Sequence, residues 1–159
     1  MNKTRINRRI SSYIFGVFLG LLLVGTTSCH RKGCTDPKAN NYDSRSKKDD
    51  NTCKFDRENF IRGYHMTEDC GGSFSYSLVI SEQSEDASSV IIENLGGWVN
   101  EVNITALVSG TTLSFDDTSN GIRFQGTGSI DTETNILSLE YKSYDSDGEE
   151  ISSCTSISG

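Results

Sequence analysis

Ser73-Phe74-Ser75-Tyr76-Ser77-Leu78-Val79-Ile80-Ser81 is the stretch that decides the fold. Phe74, Tyr76, Leu78 and Ile80 share one parity; Ser73, Ser75, Ser77, Val79 and Ser81 share the other. Successive side chains of an extended strand point to opposite faces, so this run has one face for a core and one for water. The period of two returns in Val102, Ile104, Ala106 and Val108 against Asn103, Thr105 and Leu107. It returns again in Ile122 and Phe124 against Arg123 and Gln125, and in Leu137, Leu139 and Tyr141 against Ser138 and Glu140. Half-buried antiparallel strands carry this pattern.

Turn residues separate the runs: Gly71-Gly72, Gly96-Gly97, Ser109-Gly110, Asn120-Gly121 and Asp147-Gly148. They divide the chain after Phe60 into about eight strands, near 61–69, 73–81, 88–95, 101–109, 112–116, 121–130, 135–144 and 150–157. No stretch reads as helix. The expectation is an all-β domain, an antiparallel up-and-down meander closed as a small barrel, because closure removes the exposed edges.

The 159 residues suggest one folded domain with appendages. Lys3, Arg5, Arg8 and Arg9 open the chain and no acid precedes residue 36. Residues 13–25, Tyr-Ile-Phe-Gly-Val-Phe-Leu-Gly-Leu-Leu-Leu-Val-Gly, form an apolar run, followed by Thr26, Thr27, Ser28 and Cys29. Thirteen residues are too few to span a bilayer, which takes about 20. A basic start, an apolar centre and a small-residue end have the layout of a cleaved secretory signal. Removing residues 1–28 leaves 11 basic and 22 acidic residues, a net charge of -11. So acidic a body repels phosphate backbones and argues against nucleic acid as a partner.

Five cysteines are an odd count for an exported chain. Cys34 and Cys53 bracket a polar, turn-rich segment, and closing it would stabilise the fold by about 3 kcal/mol in the loop-entropy picture. Cys70 ends the first strand and Cys154 lies in the last, and these strands are neighbours in a closed meander. A bridge there would stabilise by about 4.6 kcal/mol on the same reasoning. Four cysteines allow three pairings; Cys34–Cys53 with Cys70–Cys154 keeps one bridge within each unit.

The end of the apolar segment resembles a bacterial lipoprotein lipobox, with Ser28 before Cys29 and Thr26 where that family has leucine. The resemblance implies cleavage after Ser28 and acylation of Cys29. Gly33-Cys34-Thr35-Asp36, Ala39-Asn40-Asn41-Tyr42 and Asp49-Asp50-Asn51-Thr52-Cys53 resemble a short module of secreted Bacteroidota proteins, which implies export. The rest resembles small, uncharacterised lipocalin-like lipoproteins of Bacteroidota. The motifs are Asn59-Phe60-Ile61 before Gly63-Tyr64, Thr67-Glu68-Asp69-Cys70, Tyr76 to Ser81, Ile91 to Leu95, Val108 to Leu113, Gly126 to Ile130 and Ser153-Cys154-Thr155. Relatives carry Gly-Thr-Tyr or Gly-Thr-Trp where this chain has Arg62-Gly63-Tyr64. The expected organisation is a signal peptide over 1–28, lipidated Cys29 and a disulfide-closed spacer over 29–56, and a lipocalin-like β domain over 57–159.

Chemistry is sparse. His65 faces opposite to Tyr64 and Met66 and has no activated nucleophile near it, and zinc spacing is absent. Asp36, Asp43, Asp49, Asp50 and Asn40 offer oxygens for calcium. They lack the regular ligand spacing and share their loop with Arg45, Lys47 and Lys48, so no metal or cofactor is expected. Glu68/Asp69, Asp116/Asp117, Asp145/Asp147 and Glu149/Glu150 are pairs in or near turns, unlike carboxylates facing across a cleft. No catalytic residue and no enzyme activity are expected. Trp98, in its Gly96-Gly97 loop, with Tyr76, Tyr141 and Phe124, would be the contacts of a small apolar ligand if the barrel held one. The expected role is a lipid-anchored envelope module binding such a ligand or an envelope protein. The alternative is a structural subunit of an outer-membrane complex with a solid core. Basic His30-Arg31-Lys32 after the anchor, where surface-export signals of the phylum are acidic, points to a periplasm-facing position in the outer membrane.

Overall fold

The computed structural model describes residues 30–98 and 102–159. The expected signal peptide and Cys29 lie outside the described residues. Eight antiparallel strands pair in chain order and close into one barrel. They are β1 (Arg62–Asp69), β2 (Ser73–Glu82), β3 (Ser89–Glu93), β4 (Asn103–Ser109), β5 (Thr112–Ser119), β6 (Ile122–Ile130), β7 (Leu137–Tyr144) and β8 (Glu150–Ser158). β1 and β8 join at the seam over Met66–Asp69 and Thr155–Ser158. The strands match the sequence reading within a few residues; β5 runs on to Ser119, because Asp116, Asp117 and Thr118 pair with β6 although their pattern is polar. The Asn120-Gly121 pair, both at positive φ, makes the two-residue turn that links them.

Alternation does its expected work except at the start of β2, where Phe74 is 42% exposed. Tyr64, Met66, Tyr76, Leu78, Ile80, Val90, Ile92, Ile104, Ala106, Leu113, Phe124, Leu137 and Leu139 fill the interior. His65, Thr67, Ser73, Ser75, Ser77, Thr105, Arg123, Gln125 and Glu140 face out. The outer face also carries Val79, Leu107, Ile151 and Ile157 among its polar residues. In an up-and-down barrel the odd-numbered connections share one end and the even-numbered ones the other. Phe60, fully buried just before β1, closes the even end, and its carbonyl accepts a hydrogen bond from the Tyr64 hydroxyl at 2.8 Å. The loop through Leu95 and Trp98 covers the odd end.

Two inward positions of β6 carry no side chain. A Cβ on Gly126 would lie 2.4 Å from the Glu140 carbonyl oxygen and 2.7 Å from the Phe115 ring, and one on Gly128 2.4 Å from a Leu139 methyl. β6 comes this close to β7 because large side chains on β5 and β7 occupy the space its own would take. A small barrel needs such alternation of large and small to fill without overpacking.

The bridges are Cys34–Cys53 and Cys70–Cys154. The segment between Cys34 and Cys53 is a folded loop docked on the Phe60 end of the barrel. Lys38 pairs with Asp86 at 2.9 Å, and Asp56 accepts from the Gly110 amide at 2.8 Å and from Asn40 at 2.6 Å. Arg57 donates to the carbonyls of Gln83 and Asp86. Hydrogen bonds from Lys38 first, then Ser88 and Ser89, hold the Asp86 carboxyl down at about 2, so it stays ionised beside Lys38 at any physiological pH.

Gly126→Ala should lower the stability of the barrel by about 1–3 kcal/mol, because the clash is with backbone and a packed ring. Gly63→Ala, with open space around it, should change it by less than about 0.5 kcal/mol. Urea unfolding followed by Trp98 fluorescence reads both.

Candidate functional site

The same alternation that places Tyr64 and Met66 in the core places Glu68 there, and its side chain is 1% exposed. A carboxylate in an apolar interior is costly unless its oxygens are satisfied. Here Oε1 accepts a hydrogen bond from the Tyr141 hydroxyl at 2.8 Å. Oε2 accepts from the Tyr76 hydroxyl at 2.9 Å and from the Ser156 hydroxyl. Ser156 is the direct partner of Glu68 across the β1–β8 seam. Sγ of Cys70 lies 3.2 Å from Oε1, but as a disulfide sulfur it has no proton to donate and only packs there. Four strands thus converge on one carboxylate: β1, β2, β7 and β8.

Burial pushes both phenols well above their ordinary value near 10, and the Glu68 charge pushes them further. On Tyr76, hydrogen bonds from Ser156 and from the Gly96 backbone act in the opposite direction without cancelling the rise. Both hydroxyls therefore keep their protons and remain donors to Glu68.

The segment Asn94 to Trp98 lies over this cluster. Asn94, Gly96 and Gly97 have positive φ, and Leu95 is fully buried. A Cβ on Gly96 would meet Trp98 Nε1 at 2.6 Å and the Tyr141 hydroxyl at 2.8 Å, and one on Gly97 would meet Tyr76 Cβ at 2.8 Å. Only a residue without a side chain fits between those rings. The Trp98 ring meets Phe124 edge-on at 6.0 Å, and Phe124 lies 6.2 Å from Tyr141.

Trp98, Tyr76, Tyr141 and Phe124, named from the sequence, are thus brought together at one end of the barrel. Sequence reasoning missed Glu68 as the acceptor shared by Tyr76 and Tyr141, and Ser156 as its third donor. Counting parity from Tyr64 through Met66 would have placed Glu68 on the inner face. His65 faces outward, as its parity predicts, and does not join Glu68. The metal-like grouping of Glu68, Cys70 and Cys154 has its sulfurs joined to each other.

Several other carboxylates have local tasks. Asp116 is gripped by Arg123 through two nitrogens at 2.6 Å, and Glu150 by Lys142 at 2.7 Å. Asp36, Asp43, Asp49, Asp50 and Asp145 accept from backbone amides of their own turns. Glu68 and Asp69 face opposite sides of the barrel wall. Shallow grooves run along the outside of β4 to β7, over Leu107, Ser114 and Thr127.

No protein-family model matches the chain, and no curated protein does. Among solved structures, the chain is similar to a redesigned β barrel at 13% identity with a TM-score of 0.45, over 64% of this chain and 91% of the other.

Glu68→Ala leaves three buried hydroxyls without an acceptor and a void beside them, and should cost about 2–4 kcal/mol in urea unfolding. The phenols add a pH signature. Their folded pKa values are raised, so their contribution is complete below the unfolded value of about 10 and is lost as pH rises past it. Stability should fall from about pH 10 upward, and the fall should be shallower in Tyr141→Phe, which is also less stable at neutral pH.

Proposed function

We propose that this protein is an exported lipoprotein of the bacterial cell envelope, anchored through acylated Cys29. Its barrel is a rigid, non-enzymatic module that binds an envelope protein through its outer surface. The observation that carries the anchor is the cysteine ledger. Four cysteines close two disulfides, which leaves Cys29 as the odd thiol, and it stands at the end of a basic-then-apolar leader. An exposed free thiol is a liability outside the cell; acylation removes it and supplies membrane attachment. Disulfides themselves favour an oxidising compartment.

A partner on the outside fits the interior better than a ligand within. A carrier needs space among its aromatic walls. Here Trp98 packs on Phe124 and Phe124 on Tyr141, Tyr76 and Tyr141 donate to Glu68, and Gly96 and Gly97 lie against Trp98, Tyr141 and Tyr76. We read the module as non-enzymatic; His65 faces solvent, and Asp116 and Glu150 are held in surface ion pairs. The acidic body disfavours nucleic acid.

Native mass spectrometry of the protein released from its own membrane tests this. The expected mass is that of Cys29–Gly159 with acyl chains and two disulfides, and nothing further retained. A co-purifying apolar molecule would shift the reading to a carrier using the four aromatic residues. An unmodified Cys29 would overturn the anchor.

A further inference from the structure

Charge is segregated along this chain. Residues 63–159 hold 16 acidic and 2 basic residues, and both cations, Arg123 and Lys142, are paired with acids of the barrel. The remaining cations of the exported chain lie in residues 31–62. Several of these are committed: Lys38 to Asp86, Arg45 to Asp43, and Arg57 to Glu82. Lys32, Lys47 and Lys48 are exposed and enter no ion pair among the described residues. Asp49 and Asp50, next in sequence, turn their carboxylates to Thr35, Asn51 and Thr52 instead.

The fold then places two of these lysines together. Lys32 and Lys48 are direct partners in a parallel β-bridge, and Gly33 donates to the Lys48 carbonyl at 3.2 Å. Paired strands lie about 5 Å apart, and like charges directly opposite one another are destabilising. An anion between two such ammonium groups relieves the repulsion. Position in the chain identifies the anion. Lys32 is three residues from Cys29, a reach of at most about 11 Å, close to one Debye length at physiological ionic strength.

We propose that the Lys32–Lys48 bridge, with Lys47 beside it, docks on the anionic phosphate headgroups of the membrane that holds Cys29. The spacer is fixed to the Phe60 end of the barrel through Asp86, Asp56 and Arg57. Docking therefore stands that end towards the membrane, and the acidic barrel, repelled by the same surface, points its Trp98 end away. This rests on the lipid-anchor reading for its membrane, but the surface can be tested without the lipid.

Residues 30–159 carry both disulfides and the whole closed barrel, with a core of their own. This unlipidated chain is sedimented with vesicles of phosphatidylcholine alone and of phosphatidylcholine with phosphatidylglycerol. Binding is expected only to the anionic vesicles, and should weaken as ionic strength rises from about 0.01 M to about 0.15 M. Lys32→Gln and Lys48→Gln should each lower partitioning about fivefold, and Lys142→Gln should leave it unchanged. Equal binding to both vesicles, no binding to either, or full binding by the Lys32→Gln/Lys48→Gln variant overturns the proposal. Binding to soluble polyglutamate but not to vesicles overturns it in favour of an acidic protein partner. Acylation of Cys29 is read separately by mass, so either reading can fail alone.

Discussion

Closing an eight-stranded meander demands that β1 and β8 pair along a seam that no short loop enforces. Every other neighbouring pair is brought together by a connection of modest length; this one joins residues about a whole domain apart. The seam is also brief. β1 pairs with β8 only over Met66–Asp69, half the length of its pairing with β2 over Arg62–Asp69. Two interactions extend it. The Gly159 amide donates to the His65 carbonyl at one end, and the Cys70–Cys154 disulfide continues the register just past Asp69 and Thr155 at the other. The bridge spans 84 residues and confines the unfolded chain, so covalent closure acts at the pairing that no short connection enforces.

Glu68 sits at the same seam and turns a liability into a constraint. An apolar residue there would pack in many arrangements of β1 against β8. A carboxylate is tolerated in only one, with hydroxyls of Ser156, Tyr76 and Tyr141 on its oxygens. Slipping β8 by one residue would turn Ser156 to the outside and strip the carboxylate of a donor in a low-dielectric interior. The network thus specifies register where the loops do not. It also occupies the interior at the Trp98 end of the barrel.

The two ends of the molecule differ in chemistry as well as in packing. At one, Phe60 and the docked spacer join the barrel through ion pairs and amide hydrogen bonds. At the other, aromatic rings and two glycines interlock over a buried charge. A body with 16 acids against 2 bases, carried on a segment that holds most of the cations, has a built-in electrical direction. Near a charged surface such a body turns, whatever else it binds.

Much of this was legible in the sequence, because the barrel wall is governed by local rules. A period of two in Tyr76-Leu78-Ile80 or Leu137-Leu139-Tyr141 states which face is inside. Asn120-Gly121 states where the chain reverses, and a meander of such hairpins has one simple closure that puts Cys70 beside Cys154. The four aromatic residues at the covered end could be named for the same reason. Parity also placed Glu68 inside, yet its neighbour Asp69 and the turn that follows made it resemble surface charge. The sequence by itself determined strands, faces and bridges, since these depend on spacing along the chain. Only the tertiary structure decided that Glu68 would be held by hydroxyls from β2, β7 and β8, that Gly126 would lie under Phe115, and that Lys48 would stand beside Lys32. Such partners are set by how the strands stagger as the sheet curls, and that stagger is a property of the closed barrel, absent from any one segment.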